Sequence, residues 1–437
     1  MLFLHFSDIH FKRTEVGEPD DPNKALRSDI IKDVKQMRQI IGRSADGILL
    51  TGDIAFAGHP DEYDFAYRWM EERLCRAAGC NIENVFVIPG NHDVDRKVET
   101  DPAQLMARDA LRSKPANKVD AELSKWMRSR IASNVIFGPI QNYNRFAAKF
   151  LCSLRPYIDD DGTGDVPARP FACRDLKLND GSTLRLWGFN TVLVSDIKDD
   201  ERCMLIDPAA AQIEEEDNVC HLVMAHHPFN WLKNRKAFED RCNAVAKIQL
   251  FGHEHTRRVD EAKRFLRIRA GAMHPDRDEP DWKPGYNWID VSIDRVDGKR
   301  KLVVRLWVRH YEVDNFLAIP DPDNKPVWDN SYDLPEWSPA EAPKTAVKTG
   351  EASVQVLESP NMPTSAPASI RSVTIKFFKL KEHEQRRLIS QMKLDRAGDR
   401  DMKDYELVIT AVKRSDEQGL LSELDLLIDE TLARGTS

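Results

Sequence analysis

The chain has 437 residues, 41% hydrophobic and 31% charged, with a formal net charge of −8. That length exceeds one average domain, and the composition is globular, with no apolar run long enough for a membrane helix. Seven cysteines without a C-x-x-C pair argue against a disulfide framework and a zinc ribbon, and the net acidity gives no overall pull towards nucleic acid.

The first residues, Met1 to Asp8, lack the basic start and long apolar segment of a signal peptide, so a cytoplasmic chain is expected. Leu2, Leu4 and Phe6 alternate as a strand that runs into Asp8-Ile9-His10. From Ala25 to Ile41, apolar residues at 26, 30, 34, 37 and 41 predict an amphipathic helix. Gly47 to Leu50 reads as a second strand ending in Gly52-Asp53, and Tyr63, Tyr67, Met70 and Leu74 mark a second helix. Val85 to Ile88 is a third strand, stopped by Pro89 and followed by Gly90-Asn91-His92-Asp93. Strand-helix-strand-helix-strand predicts parallel pairing with right-handed crossovers.

Residues 95–170 break this rhythm with helical stretches near 119–131 and 141–154, and with Asp101-Pro102 as a cap and first-turn pair. An insertion leaving the chemical edge of a sheet is placed to form a helical cap; a packed excursion with no role in substrate choice is an equal expectation. Further strands are expected at 184–191, 221–225, 248–251, 266–270, 288–293 and 302–308, the last two joined as a hairpin around Asp297-Gly298. Two sheets packed face to face with helices outside would bury all of them. Residues 335–369, rich in Pro, Ser and Ala, read as a linker, and 370–437 as a small all-α module on a tether. The catalytic region is therefore expected within 1–334.

Five polar clusters each follow an apolar run: Asp8-Ile9-His10, Gly52-Asp53, Gly90-Asn91-His92-Asp93, His226-His227-Pro228 and Gly252-His253-Glu254-His255. One histidine at a strand end is usually structural. Carboxylate, amide and imidazole groups at five strand ends would converge on one edge, where they can hold cations. The donor types, without thiolate, suit Mn²⁺, Fe²⁺ or Zn²⁺. They are too many for one tetrahedral zinc and enough for two ions about 3.5–4 Å apart.

As an ordered set, D-x-H, G-D, G-N-H-D, H-x-P and G-H-x-H over about residues 1–310, this chain resembles the calcineurin-like metallophosphoesterase family. The resemblance implies an α/β fold, a four-layer α/β/β/α sandwich, and two divalent metal ions as cofactors. One ion would be held by Asp8, His10, Asp53 and His255, and the other by Asp53, Asn91, His226 and His253. His92 would meet the phosphoryl group and the leaving oxygen, with Asp93 orienting it. His226 is chosen over His227 on the family's spacing, and His5 and Glu254 are expected to be structural. The implied reaction is hydrolysis of a phosphodiester in a nucleotide or nucleic acid through a metal-activated water.

A nuclease is the close alternative and a protein phosphatase a more distant one. Basic residues at 233–236, 257–258 and 263–269, with Trp231 beside them, could line a nucleic-acid path; a solvated charged face is the plainer expectation. The C-terminal module resembles bacterial effector-associated adaptor domains. That likeness implies a protein partner carrying a similar domain; a simple helical appendage or dimerisation element is the plainer alternative.

Overall fold

Strands Leu2–Phe6 (β1), Gly47–Leu50 (β2) and Val85–Val87 (β3) pair in parallel in that order, as the alternation with helices requires. A computed structural model of the chain describes residues 1–156, 170–274, 283–338 and 368–435. The crossovers are α1 (Lys24–Ile41) and α2 (Pro60–Trp69). Helix α2 runs on through a π-helical turn, Met70–Leu74, into α3 (Cys75–Ala78). His59 caps α2, Pro60 takes a first-turn position, and the Glu62 carboxylate reaches back to the His59 N–H.

The insertion holds α4 (Pro102–Arg112), α5 (Ala116–Arg128), α6 (Arg130–Phe137) and α7 (Gln141–Ala148). The single helix expected near 119–131 is two, because Ser129 turns extended (ψ 120°) and its hydroxyl accepts the Ala132 N–H. Helix α7 stops at Ala148 rather than 154, in a turn where Leu151 takes φ 58°. Residues 157–169 of the insertion lie outside the described residues.

A second sheet follows: β4 (Ala172–Lys177), β5 (Thr183–Phe189), β6 (Val219–Ala225), β7 (Ala246–Phe251), β8 (Arg258–Glu261) and β9 (Leu266–Arg269), with α8 (Arg235–Val245) before β7. Its order is β4-β5-β6-β7-β9-β8, parallel from β5 to β9 with antiparallel edges. The chain then returns to the first sheet with β10 (Gly285–Val296), β11 (Lys299–Glu312), β12 (Asn315–Ile319) and β13 (Trp328–Asp333). Strand β10 lies antiparallel to β1, and the β10–β11 hairpin is longer than expected.

Alternation along the second sheet separates two cores. Leu184, Leu186, Leu222, Met224, Ile248 and Leu250 join the core shared with the first sheet, while Phe189, Val223, Ala225 and Phe251 pack with Phe238 and Cys242 of α8. A Cβ on Gly188 would stand 2.6 Å from Ile88, so glycine is needed where the sheets approach. The α/β/β/α sandwich is thus formed, with mixed sheets and a helical C-terminal region.

Sequence periodicity missed β4, β8, β12, β13 and α8. The strands carry polar or exposed residues along an edge or short pairing, and only Phe238, Cys242 and Val245 of α8 are buried. The Pro-rich segment is described only at its ends. Pro335 O accepts from Arg300 (3.0 Å) and Glu336 pairs with Arg295 (2.7 Å), so these two residues finish the sheet; 339–367 lie outside the described residues.

Helices α9 (Ile370–Phe378), α10 (Glu382–Gln391), α11 (Asp404–Glu417) and α12 (Leu421–Gly435) enclose their own core of Val373, Phe377, Leu388, Val408, Leu424 and Ile428. Tyr405 and Ile409 of α11 bury against Ala148 of α7.

Asp33 ties α1 to the first sheet, accepting from the Tyr286 hydroxyl (2.6 Å) and from the Arg309 guanidinium (2.5 and 2.9 Å). Asp33→Ala would take one acceptor from a half-buried guanidinium, which keeps Phe316 O, and leave the buried Tyr286 hydroxyl without its acceptor, at a cost of about 2–3 kcal/mol. Urea denaturation reads this as a lower midpoint at unchanged slope; a loss under about 1 kcal/mol would show that the contact contributes little.

Candidate metal centre and active site

The two sheets bring their carboxyl ends together, and each polar cluster leaves one of those ends. Asp8 and His10 follow β1, Asp53 follows β2, and Asn91–Asp93 form a 3₁₀ turn after β3. His226 follows β6, and His253 and His255 follow β7. Asp8 (φ 51°), His10 (51°), Asp53 (52°), His253 (71°) and His255 (53°) all take the left-handed conformation, which side-chain-bearing residues adopt at a cost of about 1–3 kcal/mol each. The turns are stitched together by backbone: Ile9 and His10 donate to Asp53 O (2.8 and 2.9 Å), and Gly252 donates to His226 O (3.0 Å). A Cβ on Gly90 would overlap the Asp53 carboxylate, so that turn admits glycine alone.

At the centre, Asp53 Oδ2 lies 3.1 Å from His10 Nε2 and 3.3 Å from His226 Nε2, while its Oδ1 accepts the His92 N–H (2.7 Å). Asn91 Oδ1 is 2.9 Å from His226 Nε2 and 2.9 Å from His253 Nδ1. On the other side, His255 Nε2 is 3.4 Å from Asp8 Oδ1. The ligand-type atoms of Asp8, His10 and His255, and those of Asp8, Asp53 and His226, each lie within 4.8 Å of one another. Those of His226, His227 and His253 form a similar group. His226 Nδ1 donates to Thr51 O (2.8 Å), which aims Nε2 inward. His227 instead bonds Thr191 Oγ1 through Nδ1 (2.9 Å), with Nε2 4.0 Å from Asp199.

Burial works to neutralise Asp53 and Asp8, yet both carboxyls are held below the usual range. The His226 and His92 charges and the His10 hydrogen bond do this for Asp53, and the His255 hydrogen bond and charge for Asp8. Burial also works to deprotonate His226, but Asp53 and Asp8 outweigh it and raise its pKa to about 9. Both ring nitrogens then donate to oxygens, as an imidazolium should. Burial lowers His92 to about 4 and His253 to about 3, leaving both rings neutral at pH 7.

Asp93, expected to orient His92, points its carboxylate at the backbone of the surrounding turns. Its carboxylate accepts from the N–H groups of Ala55 (3.0 Å), Gly90 (2.9 Å) and Ile54 (3.3 Å) and from the Tyr63 hydroxyl (2.9 Å). His92 Nδ1 donates instead to Phe56 O (2.7 Å). The turn that carries Phe56 is held by Glu62, 2% exposed, which accepts from the N–H groups of Phe56, Ala57, His59 and Arg13 (2.9–3.2 Å). Glu62 was legible only as a capping-box residue after His59, and Tyr63 only as a core residue. His274, also unread, is buried with Nδ1 2.5 Å from Ile9 O, beside the Asp8–His10 turn. His5 accepts from Asn287 (3.2 Å) and bonds Thr51 Oγ1 (3.0 Å), and Glu254 accepts from Arg269 (2.5 Å); both sit in hydrogen-bonded frameworks.

A cleft of about 560 Å³ opens over Asn91, His92 and His253, with Phe56, Arg96, Glu99, Asp196, Ile197 and Asp199 at its walls. From the insertion, Arg108 and Arg112 pair with Asp196 (3.0 and 3.2 Å), and Arg112 also with Asp199 (2.5 Å), so α4 borders the cleft. Two residues of the expected basic path are engaged internally: Lys233 caps the carbonyls of Arg112 and Lys114, and Arg267 bonds Gln249 and Asn243 (3.0 and 2.8 Å). Arg258 is exposed and pairs with Asp260 (2.6 Å). Trp231 packs edge-on against His253, ring centres 4.0 Å apart.

The profile of the calcineurin-like phosphoesterase family matches residues 1–257, and the chain belongs to that family. It is 23% identical over 335 residues to the uncharacterized metallophosphoesterase-like protein YydB of Bacillus subtilis (strain 168), covering 71% of this chain. The chain spans 60% of the length of that relative. Among solved structures, it is similar to zinc-complexed Vps29 from Entamoeba histolytica (10% identity, 75% of this chain and 99% of that one, TM-score 0.30). It is also similar to a 5'-nucleotidase from Candida albicans SC5314 (14% identity, 68% of this chain and 49% of that one, TM-score 0.33). At these TM-scores the overlays add nothing to the reading of the site. No helix among the described residues is long and apolar enough to cross a membrane.

Removing the Glu62 carboxylate strands part-buried N–H donors in the turn under His92. Glu62→Ala is expected to lower stability by about 2–3 kcal/mol. Chemical denaturation measures it, and a change below about 0.5 kcal/mol would show that water replaces the carboxylate without penalty.

Proposed function

We propose that the chain is a dinuclear-metal-dependent phosphodiesterase acting on a nucleotide-sized phosphodiester, with residues 1–334 as the catalytic region and 370–437 as a separate helical domain. The observation that carries this reading is the position of Asp53 Oδ2, within 3.3 Å of imidazole nitrogens from both donor sets. In it, Asp8, His10, Asp53 and His255 would hold one divalent ion and Asp53, Asn91, His226 and His253 the other. The donor set fits Mn²⁺, Fe²⁺ or Zn²⁺. Such a pair, when bound, supplies charge neutralisation and an activated water.

The chain's own residues do the rest. Phe56 O fixes the Nδ1–H tautomer of His92, so in the neutral ring Nε2 carries a lone pair. A bound phosphodiester brings negative charge to that ring and favours its protonated form. Nε2–H can then donate to a phosphoryl oxygen and to the leaving alkoxide. Asp93 acts on this geometry from a distance, by holding Ile54, Ala55 and Gly90. Phe56 and Ile197 are exposed apolar surfaces at the walls of the cleft, which supports a small substrate with an apolar part.

With Mn²⁺ and bis-p-nitrophenyl phosphate, His92→Ala is expected to lower kcat about 100-fold or more, and Asp53→Asn to abolish turnover. Full activity in either variant would sink the assignment. In a panel of cyclic nucleotides, DNA, RNA and a phosphopeptide, turnover confined to nucleotides is expected, and preferred cleavage of a polymer would reassign the chain as a nuclease.

To hold a cation at Nε2, His226 would first have to give up the proton that its raised pKa retains at neutral pH. That proton is present below pH 9 and absent above it, so metal affinity should rise about tenfold per pH unit from 7 to 9 and then level off. Calorimetric titration with Mn²⁺ in buffers of different ionisation heat checks both the slope and the released proton. A flat affinity across that range would remove His226 from the ligand set.

A further inference from the structure

Helix α2 touches the candidate active site only through its first turn, yet two neighbouring side chains there hold both loops that place His92. Glu62 holds the turn whose Phe56 carbonyl anchors the His92 ring. The Tyr63 hydroxyl, 3% exposed, donates to Asp93, whose carboxylate gathers Ile54, Ala55 and Gly90. Beside them, Asn142 of α7 donates to Gly58 O and to Asp95 Oδ2 (2.9 Å each), joining the same two loops a few residues further on. Phe146 of α7 stacks on the Tyr63 ring at 5.0 Å.

The outer side of this arrangement is covered by the C-terminal helices. Tyr405 and Ile409 bury against Ala148, the Tyr405 hydroxyl donates to Gln141 Oε1 (3.1 Å) with Lys403 on the same oxygen, and Lys379 pairs with Glu71 (2.7 Å). Between the two parts lies a cavity of about 240 Å³, with Tyr63, Asn142 and Phe146 on one wall and Phe378, Gln385 and Tyr405 on the other. The residues that position the His92 loops are therefore also the wall of the interface with the C-terminal region.

We propose that Tyr63 and Asn142 are positioning residues for the catalytic turn, and that the docked C-terminal helices brace them, so that turnover depends on docking. The proposal rests on the reading of Asn91-His92 as catalytic. A partner that lifts the helices away would lower activity without entering the cleft. The contacts from Tyr63 and Asn142 act on the loops that aim His92 and lie outside the cleft, so their loss should appear in kcat rather than KM.

The test uses the full chain. Tyr63→Phe removes one hydroxyl; Ile409→Glu places a charge in the docking contact, away from the core that the four helices share. Both are expected to lower kcat on bis-p-nitrophenyl phosphate about tenfold at unchanged KM, and the double variant to lose no more than either alone. Hydrogen exchange should quicken in residues 53–58 and 91–95 in both variants, with 370–378 still protected to show that the helices remain folded. Ile409→Glu with faster exchange over 141–148 but unchanged kcat and unchanged exchange in the two loops would overturn the brace. Tyr63→Phe with wild-type kcat and loop exchange would overturn the positioning role. If the wild-type chain hydrolyses no phosphodiester, the functional reading falls, while the exchange of the two loops still decides the brace.

Discussion

A carboxylate removed from water stays charged only if positive charge or hydrogen-bond donors stand within reach from fixed positions. Asp53, 1% exposed, is that carboxylate here. Its compensating groups come from separate parts of the chain: His10 after the first strand, the His92 N–H after the third, and His226 from the other sheet. No local stretch could supply them. The face-to-face packing of two sheets, with their carboxyl ends at one edge, is what meets the requirement.

Meeting it has a conformational cost. Left-handed backbone at Asp8, His10, Asp53, His253 and His255 is a sum of small penalties placed in one region, to be offset by burial elsewhere. The continuous core through both sheets is the large term. The local terms are hydrogen bonds from buried carboxylates to backbone, above all those of Asp93 and Glu62, each of which satisfies several donors in turns that form no ladder. A strained site is thus supported by residues that perform no chemistry themselves.

This division explains what could be read from the sequence. Parallel strands buried on both faces are continuous apolar runs, and ligand-type residues stand out at their ends, so the sandwich and the cluster around Asp53 were legible. Supporting residues resemble their surroundings. Glu62 and Tyr63 fit an amphipathic helix with a capped start, and nothing in the local pattern tells that their partners lie near residues 55 and 93. The contacts of Asp93 were hidden for a related reason, since adjacency to His92 in sequence says nothing about where a side chain in a 3₁₀ turn points. Charge was similarly opaque: Lys233 and Arg267 look like part of a surface track until their acceptors are seen. Edge strands such as β13 pair on one side only and need no apolar run.

The geometry of the donor groups also bears on how such a cluster is assembled. A site whose ligands meet only around an ion is coupled to folding by the ion itself. Here the donor groups already hold one another. His226 bridges Asn91 and Asp53, His10 stands on the other side of the same carboxylate, and His255 faces Asp8. Binding of a cation by these groups would then demand little rearrangement of backbone that is already strained and clamped. The work of preorganisation falls on the packed sheets and on α2, which places the rigidity of the cluster outside its own donor groups.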